Sequence, residues 1–376
     1  MRGALWLALV GSVAVACGAL GSSSESDVAP TSAGVGPFRE LLAAEDLGKA
    51  PFVLDGAGSP YREPSALPQS ASDSSSMGVL LYAVAPAATG TASVIVRTSA
   101  SDARSFYGTS SDIGTVPEVV LSASLPWEGT SVTGPSALRV GSEIQLYYAA
   151  AGGIGLAHSS DGLHFDKEPD PVLAPDPTVH WETTAPFAPS VAVLPDGTFD
   201  MMYAAGVAIG EATSSDGVHF TRVDADPTTP ATDPVLSPLE PASTLTSVDG
   251  GSLPFDLAQV SDPCVLPVTS PAGRLVVRVL YTGYDGAPGA TTRTSAIGFA
   301  ARFGTSGPLV RQREPAFSIS KQEAAPTLFT WSGGAILYVH ANAGGSFLTP
   351  AYPAIAAGVA PTEITLAAPV TYATSP

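Results

Sequence analysis

The chain is poor in cysteine and in positive charge, and it contains almost nothing that reads as a helix. It has 2 cysteines in 376 residues. Cys17 lies at the end of a leader, which leaves Cys264 as the sole thiol of the body and excludes an intrachain disulfide there. Cys264 is followed by Val-Leu and reads as a small buried hydrophobe in a strand. Lysine and arginine number 16 against 34 acidic residues, a formal charge of −18. That balance argues against nucleic acid and against an anionic lipid surface as partners. No segment after the leader is apolar for long enough to span a bilayer. There is no Gly-rich phosphate loop, nucleophile elbow or HExxH, and His158, His164, His180 and His219 show no metal-ligand spacing. Only "FRELLAAEDLGK" (Phe38 to Lys49) has helical apolar spacing with a glycine near its end.

Apolar residues nevertheless make up 45% of the chain, with 38 glycines and 35 prolines. That is too apolar for disorder. The apolar residues sit in short runs bounded by turn residues, such as "SEIQLYYAA", "TFDMMYAA", "RLVVRVLYTG" and "GAILYVHA". These are strands, and the protein is all-β.

The leader is readable. Arg2 gives a positive start, and Ala4 to Ala16 is an apolar run too short to cross a bilayer but suited to a signal-peptide core. "AVAC" (Ala14 to Cys17) resembles a bacterial lipobox, with Ala14 where leucine is more usual. The resemblance implies diacylation and N-acylation of Cys17, and Gly18 rather than Asp after it implies the outer membrane. Ordinary signal peptidase cleavage in the same region would instead release a secreted protein. Residues 18–36 are nearly devoid of large apolar side chains and form a flexible tether. The organisation is therefore a signal peptide (1–16), a lipidated cysteine with linker (17–36) and one β domain (37–376). Loss of Arg2 with the leader takes the formal charge from −18 to −19.

The body repeats itself. "GIGLAHSSDGLHF" (Gly153 to Phe165) returns as "AIGEATSSDGVHF" (Ala208 to Phe220), and the likeness extends into five units. They are anchored on Pro64, Pro135, Pro189, Pro263 and Pro326, and each reads as four strands. Four-stranded units of this length are propeller blades. The expected fold is a five-bladed β-propeller of four-stranded antiparallel blades, with Phe52 to Leu54 completing the last blade. "SSDG" is the turn between third and fourth strands, with Asp bonding its own backbone and Gly accepting positive φ. Phe165 and Phe220 then pack between neighbouring blades.

A second repeat links the blades. "WEGTSVTGP", "WETTAPFAP" and "FDLAQVSDP" place an aromatic and an acid (Trp127–Glu128, Trp181–Glu182, Phe255–Asp256) before the next proline at constant spacing. Each acid either binds backbone N–H groups of the crossing loop or lines a polar cleft. Trp127 and Trp181 either stack on sugar rings or seal the blade junctions.

The "IGLAHSSDGLHF…PVL" blade with its "DPCVL" inner strand resembles the five-bladed propellers of the arabinanase, levansucrase and invertase superfamily (glycoside hydrolase families 43, 32, 68 and 130). The resemblance implies carboxylates from different blades around a central funnel, since glycoside hydrolysis needs two carboxyls flanking the scissile bond. It places an acid before each inner-strand proline. Those five positions hold Glu63, Gly134, Ala188, Asp262 and Ala325. Asp262 is the best match, and the proline after it favours an extended backbone that would fix the direction of its carboxylate. Glu63 stands where the family has its Asp base, Asp55 could substitute for it, and Glu182 is the nearest match to the proton donor. Glu128, Asp256, Trp127 and Trp181 are the substrate-binding candidates. His340 in "ILYVHA" is the one metal-ligand candidate, against the commoner packed strand histidine. No cofactor is called for, with room left for a structural calcium on the axis. Two functions follow: a monomeric glycoside hydrolase-like lipoprotein acting on or binding a furanoside or related glycan, or a non-catalytic propeller binding a glycan or protein.

Overall fold

The computed structural model describes residues 39–40, 61–70, 72–73, 75–103, 117–239, 254–270, 273–290, 293–312, 314–318, 322–331, 334–342 and 353–359. The leader, Cys17, the tether, Phe52 to Leu54 and Asp55 lie outside the described residues.

The molecule is an all-β propeller of four-stranded antiparallel blades. After a two-residue strand β1 (Arg39–Glu40), the first sheet runs β2 (Arg62–Pro68), β3 (Val79–Pro86), β4 (Ser93–Ala100) and β5 (Glu118–Leu121). The second is β6 (Thr133–Val140), β7 (Glu143–Ala150), β8 (Gly153–Ser159) and β9 (Asp166–Lys167). The third is β10 (Phe187–Val193), β11 (Phe199–Ala205), β12 (Ala208–Ser214) and β13 (Thr221–Val223). The fourth is β14 (Gln259–Thr269), β15 (Leu275–Tyr284), β16 (Ser295–Phe303) and β17 (Val310–Arg311). The last is β18 (Glu323–Trp331), β19 (Gly334–Asn342) and β20 (Pro353–Val359), with β1 as its fourth strand. Glu40 pairs with Gly358. The residues that close this sheet are thus Arg39–Glu40. They are strand where helical spacing was expected, because the open edge of β20 offers them unpaired backbone groups.

Two sets of hydrogen bonds tie each sheet to the next. In the innermost strands, the side chain after each proline accepts a backbone N–H from the following sheet. Ser65 accepts from Ala137, Ser136 from Val191 and Ser190 from Val265, at 2.9, 3.0 and 2.9 Å. Cys264 takes the equivalent bond from Leu328, and Thr327 accepts from Ala66 at 3.3 Å, which joins the last sheet to the first. N–H groups facing away from the ladder are satisfied in this way. Cys264 is buried, as expected, and burial pushes its thiol up to about 11.

The second set lies further out. Tyr82 donates to the Gly162 carbonyl at 3.2 Å, Tyr147 to Gly217 at 2.8 Å and Tyr338 to Ala103 at 2.6 Å. Gly162 and Gly217 belong to the doubled "SSDG" turns and have φ of 75° and 80°. Ala103 occupies the equivalent place in the eroded first copy, "SDA", and is held at φ 57°. Asp161 and Asp216 accept the N–H groups two and three residues on, at 2.8–2.9 Å. Phe165 meets Tyr82, and Phe220 meets Tyr147, edge to face across the sheet junctions. The doubled motif is scaffold, and the core consists of these intersheet layers.

Candidate functional site at the axial X-Pro ring

Five dipeptides meet on the axis: Glu63-Pro64, Gly134-Pro135, Ala188-Pro189, Asp262-Pro263 and Ala325-Pro326 line one cavity of about 30 Å³. Each pre-proline residue sits on a bulge in its inner strand. Each also has positive φ: 52° at Glu63, 54° at Gly134, 45° at Ala188, 47° at Asp262 and 51° at Ala325.

This corrects a sequence-based expectation. Proline disfavours α conformations in its predecessor, which pointed to an extended Asp262. The bulge instead turns the residue over into the left-handed region, at a cost of roughly 1–2 kcal/mol for each of the four that are not glycine. Because all five repeats share the strain, it belongs to the ring and does not by itself mark function. What distinguishes Glu63 and Asp262 is their carboxyl groups.

Glu63 is pinned. Its Oε2 accepts the Gly134 N–H at 2.7 Å and its Oε1 accepts Arg62 Nε at 3.0 Å, while Arg62 also donates to Ser93 Oγ. Asp262 is partly accessible from the cavity, but protein packs densely around its carboxyl. Burial, and then the negative charge of Glu63, push it up to about 6. Hydrogen bonds from Thr282 and Ser261 and the charge of Arg293 pull the other way. The result is a carboxyl tied down by two donors at Glu63 beside an acid at Asp262 whose proton exchanges at about 6. His340, on β19, faces Glu63. Burial holds its imidazole below the usual range, against the Glu63 charge and with that of Arg62. Among the described residues no group of three His, Cys, Asp or Glu side chains gathers as a metal site.

The link acids lie elsewhere. Glu128 is fully buried and accepts from the N–H groups of Ser124 and Leu125, from Tyr148 and from Lys167, at 2.6–2.7 Å. Burial opposes its charge, yet these donors outweigh it and hold the carboxyl below its usual range. The side chain of Glu182, 1% exposed, accepts Tyr203 at 2.7 Å and both Nε and a terminal nitrogen of Arg222 at 2.7 and 2.8 Å. Asp256 accepts Tyr281 and Arg311, each at 2.8 Å. Trp127 stacks on Tyr148, Trp181 on Tyr203 and Phe255 on Tyr281, with centroids 6.0, 5.9 and 6.2 Å apart. The aromatic–acid link is therefore a staple: an acid, a tyrosine and a cation closing each junction. None of Trp127, Glu128, Trp181, Glu182 or Asp256 lines the axial cavity. Glu182 in particular has its charge spent on Arg222, which leaves no free carboxyl to serve as the proton donor expected of it.

Sequence reasoning did not find Tyr284, Arg293 or Arg62, which dress the two axial carboxyls. It also missed the staple cations Lys167, Arg222 and Arg311. A signal existed for two of these: Lys167 and Arg222 each fall two residues after the phenylalanine that follows the doubled turn.

No family model matches the chain, and no curated protein matches it. Solved structures do. A protein from Parabacteroides distasonis assigned as a candidate glycoside hydrolase superposes with a TM-score of 0.61 at 14% identity, covering 88% of this chain and 98% of its own. A structure described with the GH130 family of mannoside phosphorylases, and with glycoside hydrolases that target β-1,2-mannosidic linkages in Candida mannan, gives 0.58 at 16%, covering 93% and 99%. The α-L-arabinanase of Cellvibrio cellulosa, solved with arabinohexaose, gives 0.51 at 12%, covering 80% and 90%. The chain shares its β-propeller fold with these structures.

Proposed function

We propose that the chain is a five-bladed, glycoside hydrolase-like propeller lipoprotein that acts on or binds a glycan at the cell envelope, using the axial Asp262–Glu63 pair. The five sheets, with Thr327 and Tyr338 bonding the last to the first, support one closed ring. The "AVAC" leader supports anchoring through Cys17, in the outer membrane. The observation that carries the glycan reading is the unequal carboxyl pair on the axis. Glu63 accepts two hydrogen bonds, and Asp262 is pushed up to about 6 beside it. A neutral acid next to a carboxylate can donate a proton to a glycosidic oxygen or hydrogen-bond a sugar hydroxyl.

A second reading, binding without turnover, is favoured by one specific feature. The third carboxylate, Glu182, is locked in a buried ion pair at a sheet junction. The test is a screen of the detergent-solubilised full chain against arabino-, manno-, xylo- and fructo-oligosaccharides, reading both binding and reducing-end release. Binding without release supports the second reading, and neither binding nor release in any series would refute the glycan reading.

A further inference from the structure

The proposed function leaves one cation beside the axial ring unused. β14 begins at Gln259 and reaches the ring at Asp262-Pro263, so its first residues lie at the end where the ring sits. The ladders pair Gln259 with Tyr284 and Tyr284 with Ser295, which brings the loop between β15 and β16 to that same end. Asp285 pins the base of this loop by accepting the Thr294 N–H and hydroxyl, each at 2.7 Å. Arg293, next to Thr294, lies across Tyr284 with its guanidinium carbon 3.4 Å from the ring centroid, a close cation–π contact. Its Nη2 donates to Gln259 Oε1 on the innermost strand, and Gln259 Nε2 reaches the Gly206 carbonyl of the third sheet at 3.4 Å. Both partners of the guanidinium are neutral. Arg62, Arg222, Arg302 and Arg311 each grip a carboxylate, whereas among the described residues none stands within ion-pair distance of Arg293. Nη1 has no hydrogen bond among the described residues and, unlike the enclosed Nε, reaches solvent.

We propose that Arg293 sets the substrate class of the axial site, its free Nη1 receiving the carboxylate of a uronic acid unit in the glycan that meets Asp262. The proposal deepens the glycan reading of the Asp262–Glu63 pair and rests on it. The ring stack and the Gln259 bond hold the guanidinium in one orientation before any ligand arrives, so little side-chain entropy remains to be lost on binding. A hydrogen bond from a guanidinium to a carboxylate is about twice as strong as one between neutral groups. A neutral sugar would leave that donor and its charge unanswered. Asp285 does not compete for it, because its two oxygens are taken up at the base of the loop. The negative charge of the whole chain is no obstacle at this range, since it is screened beyond about 8 Å at physiological ionic strength.

The experiment is calorimetric titration of the detergent-solubilised full chain at neutral pH with matched pairs of ligands. The pairs are a galacturonate trimer and a glucuronate-bearing xylo-oligosaccharide, each beside its own methyl ester, which keeps the shape and removes the charge. In at least one pair the acid should bind at least tenfold more tightly than the ester, roughly 1.4 kcal/mol. Arg293→Gln should erase that preference by weakening the acid and leaving the ester unchanged. Arg293→Met, which keeps the stem over Tyr284, serves if the glutamine variant unfolds. Esters bound as tightly as acids in both pairs, or a preference that survives in a folded Arg293 variant, overturns the proposal. Neutral arabino- and manno-oligosaccharides are titrated alongside, and the bound acid is titrated into Asp262→Asn. Neutral sugars bound without any preference for acids would overturn the proposal and leave the glycan reading standing. No sugar of either kind bound would overturn both. An acid held through Arg293 but indifferent to Asp262→Asn would place the anion away from the axial pair and overturn the proposal as well.

Discussion

Replacing Asp200 with asparagine should stabilise the protein, and increasingly so as the pH rises. Asp200 on β11 and Glu211 on β12 share a face: Asp200 pairs with Thr213, and Met202 with Glu211. Both acids are buried at the junction with the fourth sheet, at 0% and 1% exposure. Arg302 on β16 grips Glu211 with both terminal nitrogens and donates to the Gly307 and Thr305 carbonyls. Neither oxygen of Asp200 has a partner in hydrogen-bond geometry. One cation thus faces two carboxyls, and a proton on Asp200 resolves the excess charge. Burial first, and the Glu211 charge second, push Asp200 up to about 8, against 3.8 for a free aspartate.

The sign follows directly. Below pH 4 both folded and unfolded chains hold the proton, so there is no penalty. Between pH 4 and 8 the unfolded chain releases it and the folded one does not, which destabilises the fold by about 1.4 kcal/mol per pH unit. Above pH 8 the penalty levels off. Asparagine has no proton to lose, so its advantage should grow by roughly 3–4 kcal/mol from pH 5 to pH 8. Urea denaturation of both proteins at each pH unit gives the difference curve. A flat curve, or an asparagine variant less stable at pH 8, would refute the buried-proton reasoning.

Three further outcomes are expected. Arg222→Met leaves the carboxylate of Glu182 buried without its cation and should cost about 3–5 kcal/mol of stability; an unchanged denaturation midpoint would mean the staple does not hold the junction. Gly155→Ala would set a methyl 2.5 Å from the Tyr148 ring and 2.6 Å from Trp127, and should lose about 1–3 kcal/mol in thermal unfolding through overpacking; full stability would show that the stack is loose. Cys17→Ala should move the protein from the membrane to the soluble fraction, and retention on membranes in high salt would end the anchoring proposal.

Much of the architecture was written in the chain because every sheet spells its strands in similar letters. The "Ile-Gly-x-Ala" strand is an example: Gly155, Gly210 and Gly298 lie under Tyr148, Tyr203 and Tyr281, where a Cβ would strike the ring. Staple geometry was less legible. The link acids were visible, but their cations follow 39, 40 and 55 residues later on the outermost strands, a separation that only the folded blade closes. The pre-proline conformation was misread because left-handed φ is ordinarily glycine's, and Gly134 alone among the five carries that signal. Asp200 and Glu211 were legible only as departures from the repeat, where the second sheet has Gln145 and Leu156 on the corresponding strands. Their shared partner, Arg302, lies 91 residues beyond Glu211.

The most direct test of the glycan reading is calorimetric titration of the best oligosaccharide from the screen into wild-type protein and into Asp262→Asn. The substitution keeps the shape of the side chain and removes its titratable group. If Asp262 meets the glycan, affinity or turnover should fall at least tenfold, roughly 1.4 kcal/mol, with the melting temperature little changed. Unaltered binding accompanied by a lowered melting temperature would make Asp262 part of the ring's scaffold and contradict the reading.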